Sequence, residues 1–102
     1  MKYSAAMLKG YALIGVDRKA IGKLQDDTGA VCAIGAVNVG FGRSPFDVGA
    51  FLNQRPLEAF RKAYGIPIAT ANNGYGQRGL DENGQPGLSI PTIAGMLKAI
   101  GQ

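Results

Sequence analysis

The uncharged, glycine-rich stretch at residues 28–42 constrains the fold more than any other part of the chain. It carries the apolar residues Val31, Ile34 and Val37 and the sole cysteine, Cys32. A long segment with apolar side chains and no charge is typical of a protein interior. We therefore predict that the rest of the chain packs around it.

Periodicity alone leaves two structures open for this stretch. In one, Thr28 caps a buried helix over residues 30–39. In the other, residues 26–29 form a hairpin turn, and residues 20–25 pair with residues 30–34 as short strands before the chain becomes helical. The abundance of alanine and the lack of strict alternation favour the helix. Cys32 lies inside in both cases.

Length and composition predict one folded domain. The chain has 102 residues, 46% of them hydrophobic and 18% charged, which is typical of a globular domain. Sixteen glycines indicate many turns and helix ends. We predict a single domain over residues 1–102 that is mainly α, with α+β as the alternative. About four to five short helices would surround the buried Gly/Ala-rich segment, with or without a short β-hairpin.

Serine caps and apolar spacing predict the other helices. Ser4, Ser44 and Ser89 are each placed to cap the helix that follows. The predicted helices begin near residues 5, 45, 57 and 90 and end near residues 14, 53, 64 and 100. Leu8 is expected on the inward side of the first helix and Phe46 on the inward side of the second.

Residues 71–87 read as a long glycine-rich loop, which follows an extended segment at residues 66–68. Long loops of this kind are often functional. Tyr75 and Arg78 belong to residue types that are enriched at interface hot spots. We predict that these two residues and Asn73 bind a partner.

The same loop contains the pattern GxGxxG at residues 74–79. In dinucleotide-binding proteins this pattern joins a strand to a helix that holds a pyrophosphate. Here the residues that follow cannot open a helix of useful length. We therefore predict no cofactor.

The residue inventory argues against an enzyme. The chain contains no histidine and one cysteine, which excludes Ser-His-Asp and Cys-His chemistry and multi-cysteine metal sites within it. Cys32 would need a base to serve as the nucleophile of a thiol enzyme, and packing is its expected role. Asp81 and Glu82 are predicted to lie in a solvated turn, with no metal bound.

The charge is basic but dispersed. Eleven basic and seven acidic residues give a net charge of +4, which admits a nucleic acid or an acidic protein as partner. If folding joined the two loose clusters of basic residues on one face, the protein could bind nucleic acid. Those residues are Arg18, Lys19, Lys23, Arg55, Arg61 and Lys62. We expect no signal peptide, no membrane partner and no membrane span, and hence a cytoplasmic protein.

Two short motifs resemble those of an uncharacterised family of small proteins from actinobacteria and their bacteriophages. They are the Cys-x-x-Gly-Ala segment at residues 32–36 and the Asn-Asn segment at residues 72–73, ahead of a C-terminal amphipathic helix. This chain departs from the family at Ala71, where a tryptophan is typical, and at Asn73, where an aspartate is. The resemblance implies a small, mainly helical, phage-encoded domain in which Cys32, Gly35 and Asn72 serve the fold.

These observations together predict a non-enzymatic cytoplasmic protein that binds a host macromolecule, with a host protein favoured. Nucleic-acid binding and a thiol enzyme built on Cys32 are the alternatives. Homodimer formation through Phe46, Phe51 or Phe60 is a further alternative.

Overall fold

The computed structural model describes residues 1–47, 54–75 and 79–102. Its described part is mainly α, which confirms the predicted fold class. The helices found there are α1 (Tyr3–Ile14), α2 (Ala33–Gly40), α3 (Gln54–Tyr64), α4 (Ile68–Asn73) and α5 (Ile90–Ala99). None of them is long and apolar enough to cross a membrane.

Helices α1 and α2 cross with their backbones in direct contact. A Cβ atom added at Gly10 of α1 would stand 1.7 Å from the carbonyl oxygen of Ala36, and one at Gly40 of α2 would stand 1.8 Å from that of Ala6. Each helix therefore presents an Ala-x-x-x-Gly pair to the other, and only glycine fits at the two crossing points. The buried Gly/Ala-rich segment is thus the centre of the core.

The segment before α2 contains the turn of the hairpin alternative, and a helix follows it that begins later than the helix alternative predicted. Asp26 accepts hydrogen bonds from the Thr28 amide at 2.9 Å and the Thr28 hydroxyl at 2.6 Å, and an antiparallel bridge joins Gln25 to Val31. The prediction that Thr28 caps α2 is therefore wrong, because Asp26 already holds its side chain in a turn. The helix starts three residues later than predicted, with Cys32 as its N-cap.

Helix α4 replaces two predicted features. Helix α4 covers Ile68–Asn73. The prediction of an extended segment at residues 66–68 is therefore wrong at residue 68, and the prediction of a loop from residue 71 is wrong at residues 71–73. Pro67 provides the N-cap in an extended conformation, and Gly74 ends the helix at φ 77°. A proline before the first turn and a glycine after the last are common helix boundaries.

Part of the predicted loop folds into a turn at residues 81–85, which we call the Asp81 turn. The Asp81 carboxylate accepts the amides of Asn83 and Gln85, each at 2.9 Å, and lies 3.2 Å from the Lys19 ammonium group. Lys19 is only 2% exposed and also donates to the Leu88 carbonyl at 2.6 Å. The predictions that Asp81 is solvated and that Lys19 belongs to a surface cluster are therefore wrong.

The remaining helices follow the sequence signals only in part. Helix α3 already includes residues 54–56, ahead of its predicted start near residue 57. Ser89 caps α5 by accepting the Thr92 amide at 3.3 Å, as predicted. Ser4 does not cap α1, because the helix already begins at Tyr3. Leu8 and Phe46 are 44% and 59% exposed, so their predicted inward orientation is wrong. The predicted start of the second helix near residue 45 is also wrong, because residues 45–47 are not helical and the Phe46 amide donates to the Ser44 hydroxyl at 3.2 Å in a turn. The rest of that predicted helix, residues 48–53, lies outside the described residues.

Candidate functional site

Two adjoining cavities form a groove beneath Tyr75, which we call the Tyr75 groove. Their volumes are about 290 and 250 Å³. Both are lined by Ile34 from α2 and by Ile68 and Ala69 from α4. Ile34 and Ile68 are buried, whereas Ala69 is exposed. The floor of the groove is therefore an apolar seam between α2 and α4.

Tyr75 stands at the rim of this groove just after the end of α4. Its side chain is 64% exposed. A Cβ atom added at Gly22 would lie 3.8 Å from the Tyr75 hydroxyl oxygen, so the ring leans toward the segment before α2. An exposed aromatic ring beside an apolar depression is a common anchor in protein interfaces.

The Asn72 side chain ties α4 to the start of α2 and to the segment before it, and so holds the two helices of the groove in place relative to each other. Its Oδ1 accepts the Ala33 amide at the start of α2 at 3.0 Å, and its Nδ2 donates to the Ala20 carbonyl at 2.9 Å. Nδ2 also donates to Oδ1 of Asn73, which in turn accepts the Gly22 amide. Asn72 is buried, so these bonds form in a low-dielectric setting where losing one is costly.

Cys32 lines the larger cavity but lacks the features of a nucleophile. Burial raises the pKa of its thiol, and backbone N–H groups of Gly35 and Ile34 offset only part of that effect. Its Sγ accepts the Gly35 amide at 3.4 Å as the N-cap of α2. A thiol with a raised pKa is mostly protonated at neutral pH, and a protonated thiol is a poor nucleophile.

The charged lining of the groove is sparse. Lys23 lines the larger cavity, while Glu58 and Arg61 line the smaller one. All three are exposed. Among the described residues no group of three or more metal-ligating side chains comes together.

The structure places only some of the predicted site residues in the Tyr75 groove. Tyr75 and Asn73 both line the Tyr75 groove, although the side-chain oxygen of Asn73 is engaged within the fold. Arg78 lies outside the described residues. Of the basic residues proposed for nucleic-acid binding, Lys23 and Arg61 line the groove and Lys19 is buried.

The floor of the groove was not predicted from the sequence. Ile68 was predicted to be extended and Ala69 was assigned to no element, so their position against Ile34 could not be inferred. The signal that could have found them is the pair of helix boundaries at Pro67 and Gly74.

Comparison with known proteins gave no further guide to this site, because no protein family, curated protein or solved structure matches the chain. The resemblance to actinobacteriophage proteins stays a prediction.

Proposed function

We propose that this chain is a small, non-enzymatic, phage-encoded protein that binds a segment of a host protein in the Tyr75 groove, within the host cytoplasm. The observation that carries the proposal is the position of Tyr75, a largely exposed aromatic side chain at the rim of an apolar groove. The resemblance supplies the expected phage context.

A protein segment suits the groove better than a nucleic acid does. The shared floor is formed by Ile34, Ile68 and Ala69, which can bury apolar side chains of a partner. Nucleic-acid binding depends on several cationic contacts to phosphates. Lys19 is unavailable for such contacts, because its ammonium group is paired with Asp81 inside the protein.

The raised pKa of Cys32 also favours binding over catalysis. The thiol lines the cavity, but the groove residues include no histidine that could deprotonate it. Cys32 instead caps α2 and contributes apolar surface to the lining of the groove.

Affinity capture from an actinobacterial lysate tests this function, with and without nuclease. Two variants change the groove without disturbing buried residues: Tyr75→Ala removes the rim aromatic, and Ala69→Arg places a long side chain over both cavities. Removing a hot-spot aromatic costs about 2 kcal/mol or more, equivalent to about a 30-fold loss of affinity. We expect both variants to lose a protein that the native chain retains after nuclease treatment.

Leu13→Ala is the matched control, because Leu13 is an exposed hydrophobic residue of α1 that does not line the groove. It should capture the same protein as the native chain. Capture that disappears on nuclease treatment would support nucleic-acid binding instead. Capture that is unaffected by Tyr75→Ala and Ala69→Arg, or no capture at all, would refute the proposed function.

A further inference from the structure

A second groove lies between α1 and α5, with a volume of about 420 Å³. We call it the α1–α5 groove. It shares no lining residue with the Tyr75 groove, and all its lining residues belong to the described chain. Its apolar walls come from Ala5 and Leu8 on α1 and from Pro91 and Ala94 on α5. Leu8, although apolar and large, is 44% exposed here.

Helices α1 and α5 run in opposite directions along this groove. The amide of Ser4 donates to the carbonyl of Gln102 at 3.1 Å, which places the start of α1 beside the residues that follow α5. Lys2 and Lys98 therefore lie at the same end of the groove, while Leu8 and Pro91 lie toward the other end. One end is cationic and the rest is apolar.

The charges of the groove are of one sign. Lys2 and Lys98 are the ionisable side chains that line it, and neither forms an ion pair within the described residues. A second copy of the chain, docked symmetrically through the same face, would supply two further ammonium groups and no carboxylate from that face, because a two-fold interface joins the same patch of both copies. The charge pattern therefore favours a different, acidic partner.

The shape of the groove favours a helix as that partner. A furrow between two antiparallel helices accepts a third helix, whose apolar side chains enter it at helical spacing. A bilayer surface is instead bound by helices that present an apolar face outward, and here the apolar residues line a concavity. We propose that the α1–α5 groove binds an amphipathic helix of a partner protein, with acidic residues of that helix facing Lys2 and Lys98.

A synthetic helix provides the probe. The acidic peptide has about 20 residues, with leucines along one face and glutamates at the end that would meet the lysines. The basic peptide carries lysine at each glutamate position. Binding is measured by amide chemical shifts of the ¹⁵N-labelled full chain. We expect the acidic peptide to bind more tightly than the basic one and to shift the amides of Leu8 and Gly95.

Charge reversal then tests the role of the two lysines. The double variant Lys2→Glu, Lys98→Glu should weaken binding of the acidic peptide about tenfold and strengthen binding of the basic peptide. The control Arg55→Glu, Lys62→Glu makes the same change in net charge at exposed positions of α3, and it should leave both affinities unchanged. Leu8→Gln should weaken both peptides, because it removes apolar contact surface at an exposed site.

Four results would overturn the proposal. They are no binding of the acidic peptide, chemical shifts that map outside the groove, equal weakening by the two double variants, and peptide affinities that do not follow the charge exchange. Vesicles of anionic lipid serve as the remaining comparison. If they bind with the same dependence on Lys2 and Lys98 while the peptide does not, the groove recognises a lipid surface and the proposed helix is excluded.

Discussion

The crossing of α1 and α2 gives the most direct prediction about stability. In Gly10→Ala, the new methyl carbon would stand 1.7 Å from the carbonyl oxygen of Ala36, whereas ordinary contact begins at 3.4 Å. The two helices would have to separate by about 1.7 Å, the difference between these two distances. The obstacle is backbone, so no side-chain rotation can relieve the overlap.

Two opposing effects set the size of the change. Overpacking of this kind lowers the free energy of unfolding by about 3 kcal/mol. The better helix propensity of alanine raises it by about 1 kcal/mol. The free energy of unfolding should therefore fall by about 2 kcal/mol or more. In a domain of this size that lowers Tm by about 8 to 16 °C.

Gly95→Ala is the matched control for this measurement. Gly95 also lies inside a helix, but no side chain and no backbone of another element stands within 4 Å of the position its Cβ would take. The variant should stabilise the protein by about 0.5 to 1 kcal/mol. If Gly10→Ala proves too unstable to study, the same comparison can be made in the Gly95→Ala background. Thermal unfolding followed by circular dichroism measures both, and the reasoning fails if Gly10→Ala leaves Tm unchanged or raises it.

Three further predictions concern the polar interior and the thiol. Asp81→Asn leaves the Lys19 ammonium group buried without its anion, so it should lower the free energy of unfolding by about 3 kcal/mol at neutral pH. Burial raises the pKa of Asp81, but hydrogen bonds from the turn and the charge of Lys19 outweigh it and hold that pKa below its ordinary value of 3.8. The carboxylate therefore stabilises the fold above pH 3.8, and this stabilisation is lost as the pH falls through the folded-state pKa. Urea denaturation gives the difference in free energy of unfolding between the native chain and Asp81→Asn. This difference should be smaller at about pH 2.5 than at about pH 7, and an equal difference at both pH values would contradict the stabilising role of the Asp81 carboxylate. Asn72→Ala leaves the Ala33 amide and the Ala20 carbonyl without their partner, so we expect a loss of about 2 kcal/mol in the same assay, and no loss would show that the bridge is dispensable. Iodoacetamide should label Cys32 at least about tenfold more slowly than a free thiol at neutral pH, whereas labelling at the free-thiol rate would restore the thiol enzyme as a candidate.

Local signals in the sequence were enough to predict some of the elements. Ser89 and the residues after it specify α5, because the cap and the apolar spacing lie within one short segment. A glycine inside an apolar helical pattern is itself a local signal of close backbone approach. Gly10 and Gly35 fit that rule, with the carbonyl oxygens of Ala36 and Leu24 as their neighbours.

Features that depend on distant partners could not be read in this way. Lys19 is the clearest case, because a lysine is normally solvated and the carboxylate that pairs with it comes from Asp81, in a segment that looked like an exposed loop. Asn72 was expected to serve the fold, but its bonds to Ala33 and Ala20 depend on how three segments meet. The Tyr75 groove was hidden for the same reason, since its floor joins two helices that are distant in sequence.

The bridge formed by Asn72 has a consequence for how quickly and how tightly a ligand could bind. Because one amide group ties α4 to the start of α2, both walls of the Tyr75 groove are held in place before any partner arrives. A ligand would lose its own freedom on binding, but the walls would not have to be ordered at a cost of about 0.5 to 1.5 kcal/mol for each side chain immobilised. Complex formation should then be the docking of a preformed surface, with no slow opening step in its association kinetics.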